Sequence, residues 1–171
     1  LTHSFHDESQ ILKIKYKGVV KHIRINLIGK IQIKNILMAL TAAEKSGLNL
    51  NKILNVLPSL KSIEGRFEKI GMIKNKSKVI LDYAHTPDAL KTCLLNLKEQ
   101  FPDKKIISLF GCGGNRDQNK RSKMGKIADI FSDEIYLTDD NPRFESSHKI
   151  RKDIRAGIKK TKVIEISDRG K

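Results

Sequence analysis

The residues best equipped for chemistry stand in three clusters, and the densest is Thr138-Asp139-Asp140-Asn141-Pro142-Arg143. Pro142 stiffens a turn, Asn141 offers both donor and acceptor, and Arg143 offers a forked cation. The second cluster runs Gly111-Cys112-Gly113-Gly114-Asn115-Arg116 and on to Arg121. Glycines directly after a strand let backbone approach a ligand, and the helix start that follows favours anions. Arg116 and Arg121 add cations suited to bidentate carboxylate or phosphate contacts. No Gly-Lys-Ser/Thr follows at phosphate-loop spacing, and the pattern is no dinucleotide fingerprint. Cys112 has no evident partner base in the sequence and reads as a small loop residue.

The third cluster is Asp82-Tyr83-Ala84-His85-Thr86-Pro87-Asp88. An acid at a strand end can accept hydrogen bonds from a ribose, or it can satisfy loop amides. Thr86 suits the cap and Pro87 the first turn of a helix. Taken together, Arg116, Asn141 and Arg143 suit an amino acid, with carboxylate to arginine and ammonium to an acidic or amide oxygen.

Such clusters need strands behind them. Apolar runs of strand length at 79–83, 105–110, 134–138 and 162–166 alternate with helical stretches at 87–100, 122–131 and 148–159. That alternation predicts an α/β, Rossmann-like domain whose mainly parallel sheet is covered on both faces, with ligands beyond the carboxyl ends of the strands. The run 79–83 is expected to be a short buried strand. Upstream, residues 11–27 alternate as a hairpin turning at Lys17-Gly18. After 29–35 an amphipathic helix is expected, with Ile36, Leu37, Leu40, Ala43 and Leu48 on its apolar face and Gly47 at its stop. A short helix at 50–57 ends before Pro58, and 62–65 reads as a linker.

Composition narrows the function classes. A 39% hydrophobic content supports a packed core. No run approaches the ~18 apolar residues of a membrane helix. Two cysteines make no disulfide framework, so the cytoplasm is the expected setting. The formal charge of +15 is spread along the chain, and the few aromatics show no stacking pattern, which argues against a nucleic-acid partner. Phosphate-bearing metabolites are a sufficient partner for the basic excess.

The ordered set GRFE, VILDYAHTPDAL, FGCGGNRD, KMG and TDDNPR, between Gly65 and Arg143, resembles the Mur ligases of bacterial peptidoglycan synthesis, and within them the members that add meso-diaminopimelate. These enzymes use ATP to phosphorylate a carboxylate, which an incoming amino group then attacks. The resemblance implies that residues 1–63 are the end of a central ATP-binding domain and 64–171 a truncated C-terminal domain. It implies an ATP-dependent amide ligase adding meso-diaminopimelate to UDP-N-acetylmuramoyl-L-alanyl-D-glutamate. Arg116, Asp140, Asn141, Pro142 and Arg143 would then hold the diamino acid, and Asn35, Arg66, Asp82 and His85 would face ATP. Ile31 and Gln32 depart from the family pattern of Phe or His followed by Asn, although Gln32 keeps an amide. The phosphate loop, the magnesium ligands and the modified lysine are expected before Leu1, and a further part of the amino-acid pocket after Lys171. The piece by itself is therefore expected to be inactive, with no catalytic residue or metal ligand assigned within it. The full-length enzyme is expected to be a monomer acting on small molecules, without membrane insertion. Two alternatives stand beside this reading: a folylpolyglutamate-synthetase-type ligase and a non-catalytic amino-acid-binding module.

Overall fold

Alternating apolar and polar side chains set the first elements. The computed structural model describes residues 2–16, 18–73 and 75–170. Strands β1 (Thr2–His6), β2 (Ser9–Tyr16) and β3 (Val19–Ile25) form an antiparallel sheet in that order. The expected hairpin is thus β2–β3, with Gly18 in the left-handed region; Lys17 lies outside the described residues. Leu12, Ile23 and Ile25 point inward and meet Ile33, Ile36 and Leu40 of helix α1 (Lys30–Lys45). Each such aliphatic side chain contributes roughly 1.5–3 kcal/mol on full burial.

Helix α1 begins right after Gly29, earlier than expected, because Ile33 extends the apolar stripe one turn back from Ile36. Leu37 lies toward solvent and Leu48, past the helix end, is 60% exposed. The helix closes with Leu48 N–H donating to the Ala43 carbonyl and Gly47 N–H to that of Glu44, a Schellman ending that already turns Leu48 away. Asn49 caps α2 (Leu50–Val56) by accepting from Lys52 N–H, and a 3₁₀ turn at Leu57–Ser59 carries Pro58.

The run at 79–83 departs most from expectation. Strand β5 (Lys78–Leu81) pairs antiparallel with β4 (Glu68–Met72) in a separate two-stranded sheet, and Val79 and Leu81 are 38% and 45% exposed. A buried parallel strand and an exposed two-stranded ribbon share the same β-branched composition, so the apolar run could not distinguish them. Both strands fall in the first of two compact units, Leu1–Tyr83 with Glu99–Phe101; the second is Ala84–Lys98 with Pro102–Lys171.

The second unit is built on the parallel sheet β6 (Ile107–Phe110), β7 (Glu134–Thr138), β8 (Lys162–Ile166), in that order. Helix α3 (Pro87–Gln100) precedes it, α4 (Asn119–Phe131) joins β6 to β7, and α5 (Ser147–Arg155) joins β7 to β8. Ile135 and Leu137 are fully buried in a core with Leu90, Leu94, Met124, Ala128, Ile150 and Ile154. The sheet is not covered evenly on both faces, as Ile107 and Leu109 of β6 are 58% and 59% exposed. Helices α4 and α5 lie close because Gly125 carries no Cβ: one added there would lie 2.1 Å from the Ile154 carbonyl oxygen.

Asp129 of α4 fastens the turn that enters β8, accepting from the backbone N–H groups of Lys159, Lys160 and Thr161. Burial pushes its carboxyl up, but the Thr161, Lys159 and Lys160 amides outweigh burial and hold the pKa at about 2. With the folded pKa depressed, this stabilisation is present above the ordinary carboxylate range and fades as pH falls from about 4 toward 2. Asp129→Ala should cost about 2 kcal/mol at pH 7 and much less at pH 2.5, read from urea denaturation at both. An equal cost at both values would assign the turn's order to other contacts.

Candidate functional site

Two groups of polar residues stand out, one in each unit. In the first, the opening turns of α1 carry Asn35 and Gln32. Asn35 Nδ2 donates to Gln32 Oε1 at 3.2 Å, and Gln32 Nε2 donates to the Arg66 carbonyl at 3.3 Å. The Arg66 guanidinium lies 5.1 Å from the Tyr83 ring centroid. Asp82 Oδ2 accepts from Phe67 N–H at 3.0 Å, and Tyr83 N–H donates to the Gly65 carbonyl at 2.8 Å. Asn35, Arg66 and Asp82 are thereby linked within one unit, with Gln32 as the bridge. The amide that departs from the family pattern is the one that joins α1 to the Arg66 segment.

The start of α1 is held by two buried glutamines of the same unit. Gln10 Nε2 donates to the carbonyls of Leu27 and Gly29, and Gly29 N–H donates to Gln100 Oε1 at 2.7 Å. Neither glutamine is marked by a motif. Burial of an amide side chain on a long-range partner leaves no periodic signal in sequence.

His85 belongs to the second unit, where its carbonyl accepts from Lys120 Nζ at 2.8 Å. Thr86 Oγ1 accepts from Ala89 N–H at 3.2 Å, capping α3 ahead of Pro87.

The second group is the loop after β6 and the turn after β7, which lie together because these strands are parallel neighbours. Gly114 N–H donates to the Asn141 carbonyl at 2.9 Å, and Arg143 Nη1 donates back to the Gly114 carbonyl at 2.8 Å. Asn141 Oδ1 accepts from Arg143 N–H at 3.1 Å, which bends the turn and places Arg143 at φ 52°. Asn115 Oδ1 accepts from Phe144 N–H at 3.0 Å, and Glu145 accepts from Asn115 N–H. Arg116 follows Asn115 and is exposed, as are Asp140, Asn141 and Arg143. Phe144, beside them, is 97% exposed. The glycine loop and the Asn-Pro-Arg turn are therefore one interlocked piece, presenting two guanidiniums and an amide.

Arg121 corrects the sequence reading of a ligand-facing cation. It is fully buried, with Nη1 on Asp153 Oδ2 and Nη2 on Glu145 Oε1, both at 2.9 Å. The Arg121 guanidinium holds the Glu145 carboxyl below the usual range, and Glu145 in turn raises Arg121. Cys112 is buried, and burial pushes its thiol up, away from nucleophilic use. Among the described residues no group of three or more His, Cys, Asp or Glu side chains is placed to hold a metal ion. No helix among them is long and apolar enough to cross a membrane.

The segment that carries this strand-end site matches a known family. The family described as Mur ligase, glutamate ligase domain, matches residues 65–171, and the chain belongs to the Mur ligase family, whose members are ATP-dependent amide ligases. The chain is similar to the UDP-N-acetylmuramoyl-L-alanyl-D-glutamate–2,6-diaminopimelate ligase of Rickettsia felis, 42% identical over 145 residues, 84% of this chain and 27% of that one. A solved structure of a ligase of that name superposes with a TM-score of 0.69 at 31% identity, over 98% of this chain and 34% of the other. The folylpolyglutamate synthase of Mycobacterium tuberculosis, solved with ADP and AMPPCP, superposes with a TM-score of 0.73 at 20% identity, over 96% of this chain and 37% of that one. The last likeness shows the fold alone. The chain spans between 27% and 37% of the length of these proteins.

Proposed function

We propose that this chain is the amino-acid-selecting part of a ligase that uses ATP to join meso-diaminopimelate to UDP-N-acetylmuramoyl-L-alanyl-D-glutamate. The observation that carries the reading is the interlock of the glycine loop with the Asn-Pro-Arg turn, which sets Arg143 and Asn141 in one exposed piece with Arg116. Diaminopimelate has one carboxylate more than lysine, and a guanidinium is its natural partner. Arg116, Asp140, Asn141, Pro142 and Arg143 would form this site. The similarity to relatives named as diaminopimelate ligases supports the same substrate.

Asn35, Arg66 and Asp82 would face the nucleotide. Asn35 and Gln32 have the amide chemistry an adenine edge needs, and Arg66 the charge a phosphate needs. ATP would supply the phosphoryl group that activates the substrate carboxylate. Among the described residues no three or more His, Cys, Asp or Glu side chains are grouped to hold a metal ion, and no step is assigned to magnesium. We place residues 1–63 in the central domain of the ligase and 64–171 in its C-terminal domain, with the work done in the cytoplasm by a monomer.

Phosphate release by the full-length gene product, supplied with ATP and the UDP-linked dipeptide, decides the substrate. Diaminopimelate should be preferred over lysine by about 100-fold or more in kcat/KM, as expected where polar groups are left unpaired by the wrong substrate. Preference for lysine, or for a glutamate-extended substrate as in folylpolyglutamate synthesis, would overturn the reading.

A further inference from the structure

We propose that Arg121 and Glu145 are positioning residues of the amino-acid site, a buried strut that fixes the two loops carrying Arg116 and Arg143 without touching the ligand. The proposal rests on the reading of this site as the one that binds the incoming amino acid.

Three observations meet in Glu145. Its Oε1 accepts from both Arg121 Nη2 and Asn115 N–H, so one carboxylate oxygen ties helix α4 to the glycine loop. Its Oε2 accepts from Gln118 Nε2 at 3.3 Å, farther along the same loop. Its own N–H donates to the Pro142 carbonyl at 3.0 Å, inside the Asn-Pro-Arg turn. The residue thus closes a ring through Asn115, Phe144 and Pro142; Arg143 stands between Pro142 and Phe144 in it, and Arg116 follows Asn115 directly.

Arg121 anchors the ring from below. A guanidinium at 0% exposure loses its hydration, and ion pairs in such a place seldom stabilise a fold more than apolar packing would. Here the Nε finds no acceptor among the described residues, so the charge is not even fully satisfied. Packing alone does not call for an arginine at this position. What the pair with Glu145 and Asp153 does provide is direction, since a planar fork held at two points cannot swing. The strut sets where the loops stand, and the loops set where the two exposed arginines stand.

The test uses the full-length gene product and measures KM for the amino acid and for ATP separately. Glu145→Ala removes the carboxylate that accepts from Arg121, Asn115 and Gln118, and KM for the amino acid should rise 10- to 50-fold, with KM for ATP within twofold of wild type. Glu145→Gln keeps an oxygen that can take both the Asn115 and Arg121 donors, so it should recover amino-acid KM to within about threefold. Asn115→Gly deletes the acceptor for Phe144 while suiting the φ of 50° at that position, and should repeat the selective rise. Equal movement of both KM values, no movement, or identical behaviour of the Ala and Gln variants would overturn the strut. So would failure of both Glu145→Ala and Asn115→Gly to fold, which would make the ring purely structural. Each KM is taken for whichever amino acid the wild type prefers. A lysine-preferring enzyme would then refute the substrate reading while the strut is still judged.

Discussion

Under the proposed function, alanine at Gly114 of the full-length gene product should reduce turnover with diaminopimelate at least 100-fold. A Cβ at this position would lie 1.8 Å from the Pro142 carbonyl oxygen and 2.6 Å from its carbon. Both are backbone atoms, so no side chain can rotate out of the way. The glycine loop or the Asn-Pro-Arg turn must move by an ångström or more. Either movement breaks the bonds from Gly114 N–H to the Asn141 carbonyl and from Arg143 Nη1 to the Gly114 carbonyl. A displacement of about 1 Å in a positioning group is enough to cost ~100-fold in rate. The accompanying loss of stability should be about 1–3 kcal/mol, the ordinary cost of forcing a methyl group into packed atoms. Gly113→Ala is the informative comparison. Its Cβ would meet the Arg143 Nη1 atom at 3.0 Å, the far end of a flexible side chain. That variant should keep the stability of the parent and lose selectivity only in part. Thermal unfolding and kcat/KM for each variant separate the two effects, and equal behaviour of the pair would refute the interlock as the source of the loss.

The difference between these two glycines could not be read from the sequence, although the loop itself could. Gly111 to Arg116 follows an apolar run and precedes a helix, so its place at a strand end was legible from pattern alone. The bounds of α3, β7 and β8 were legible for a similar reason, since turn-forming or charged residues close off an amphipathic helix and two strands with apolar centres. Strand β1 was not: Thr2–His6 is mostly polar and is held in place by pairing with β2. The exposed pairing of β4 with β5 was hidden too, because an apolar run does not say which neighbour it pairs with. In the site, Asn141, Pro142 and Arg143 announced themselves by type and spacing. Glu145 did not, and Arg121 did so only as a ligand-facing cation, which its burial excludes. Their importance lies in a contact across 24 residues of sequence, and in a guanidinium whose full burial only the packed structure reveals. The Asn35–Gln32–Arg66 link is of the same kind: the residues were visible and their connection was not.

Arg143 itself gives the sharpest separation of stability from selectivity. Its φ of 52° is a left-handed backbone that costs a residue with a Cβ about 1 kcal/mol, and glycine removes that cost. Glycine also removes the Nη1 bond to the Gly114 carbonyl, worth a similar amount in the opposite sense. Arg143→Gly should therefore leave the unfolding free energy within about 1 kcal/mol of the parent. Selectivity should not survive. The second carboxylate of diaminopimelate would lose its proposed charged, forked partner, and preference of the full-length gene product over lysine should fall by roughly 100-fold in kcat/KM. Arg143→Lys tests whether charge or fork matters: it keeps the cation and the strained backbone, yet cannot form two parallel hydrogen bonds. Its selectivity should lie between those of the parent and the glycine variant. If Arg143→Gly kept the parent's preference, the turn would be a structural corner and the selector would have to be sought elsewhere. If it lost preference and also unfolded easily, Arg143 would be holding the loops rather than reading the substrate. The proposed site requires the first change without the second, because it assigns Arg143 to reading the substrate rather than to holding the turn.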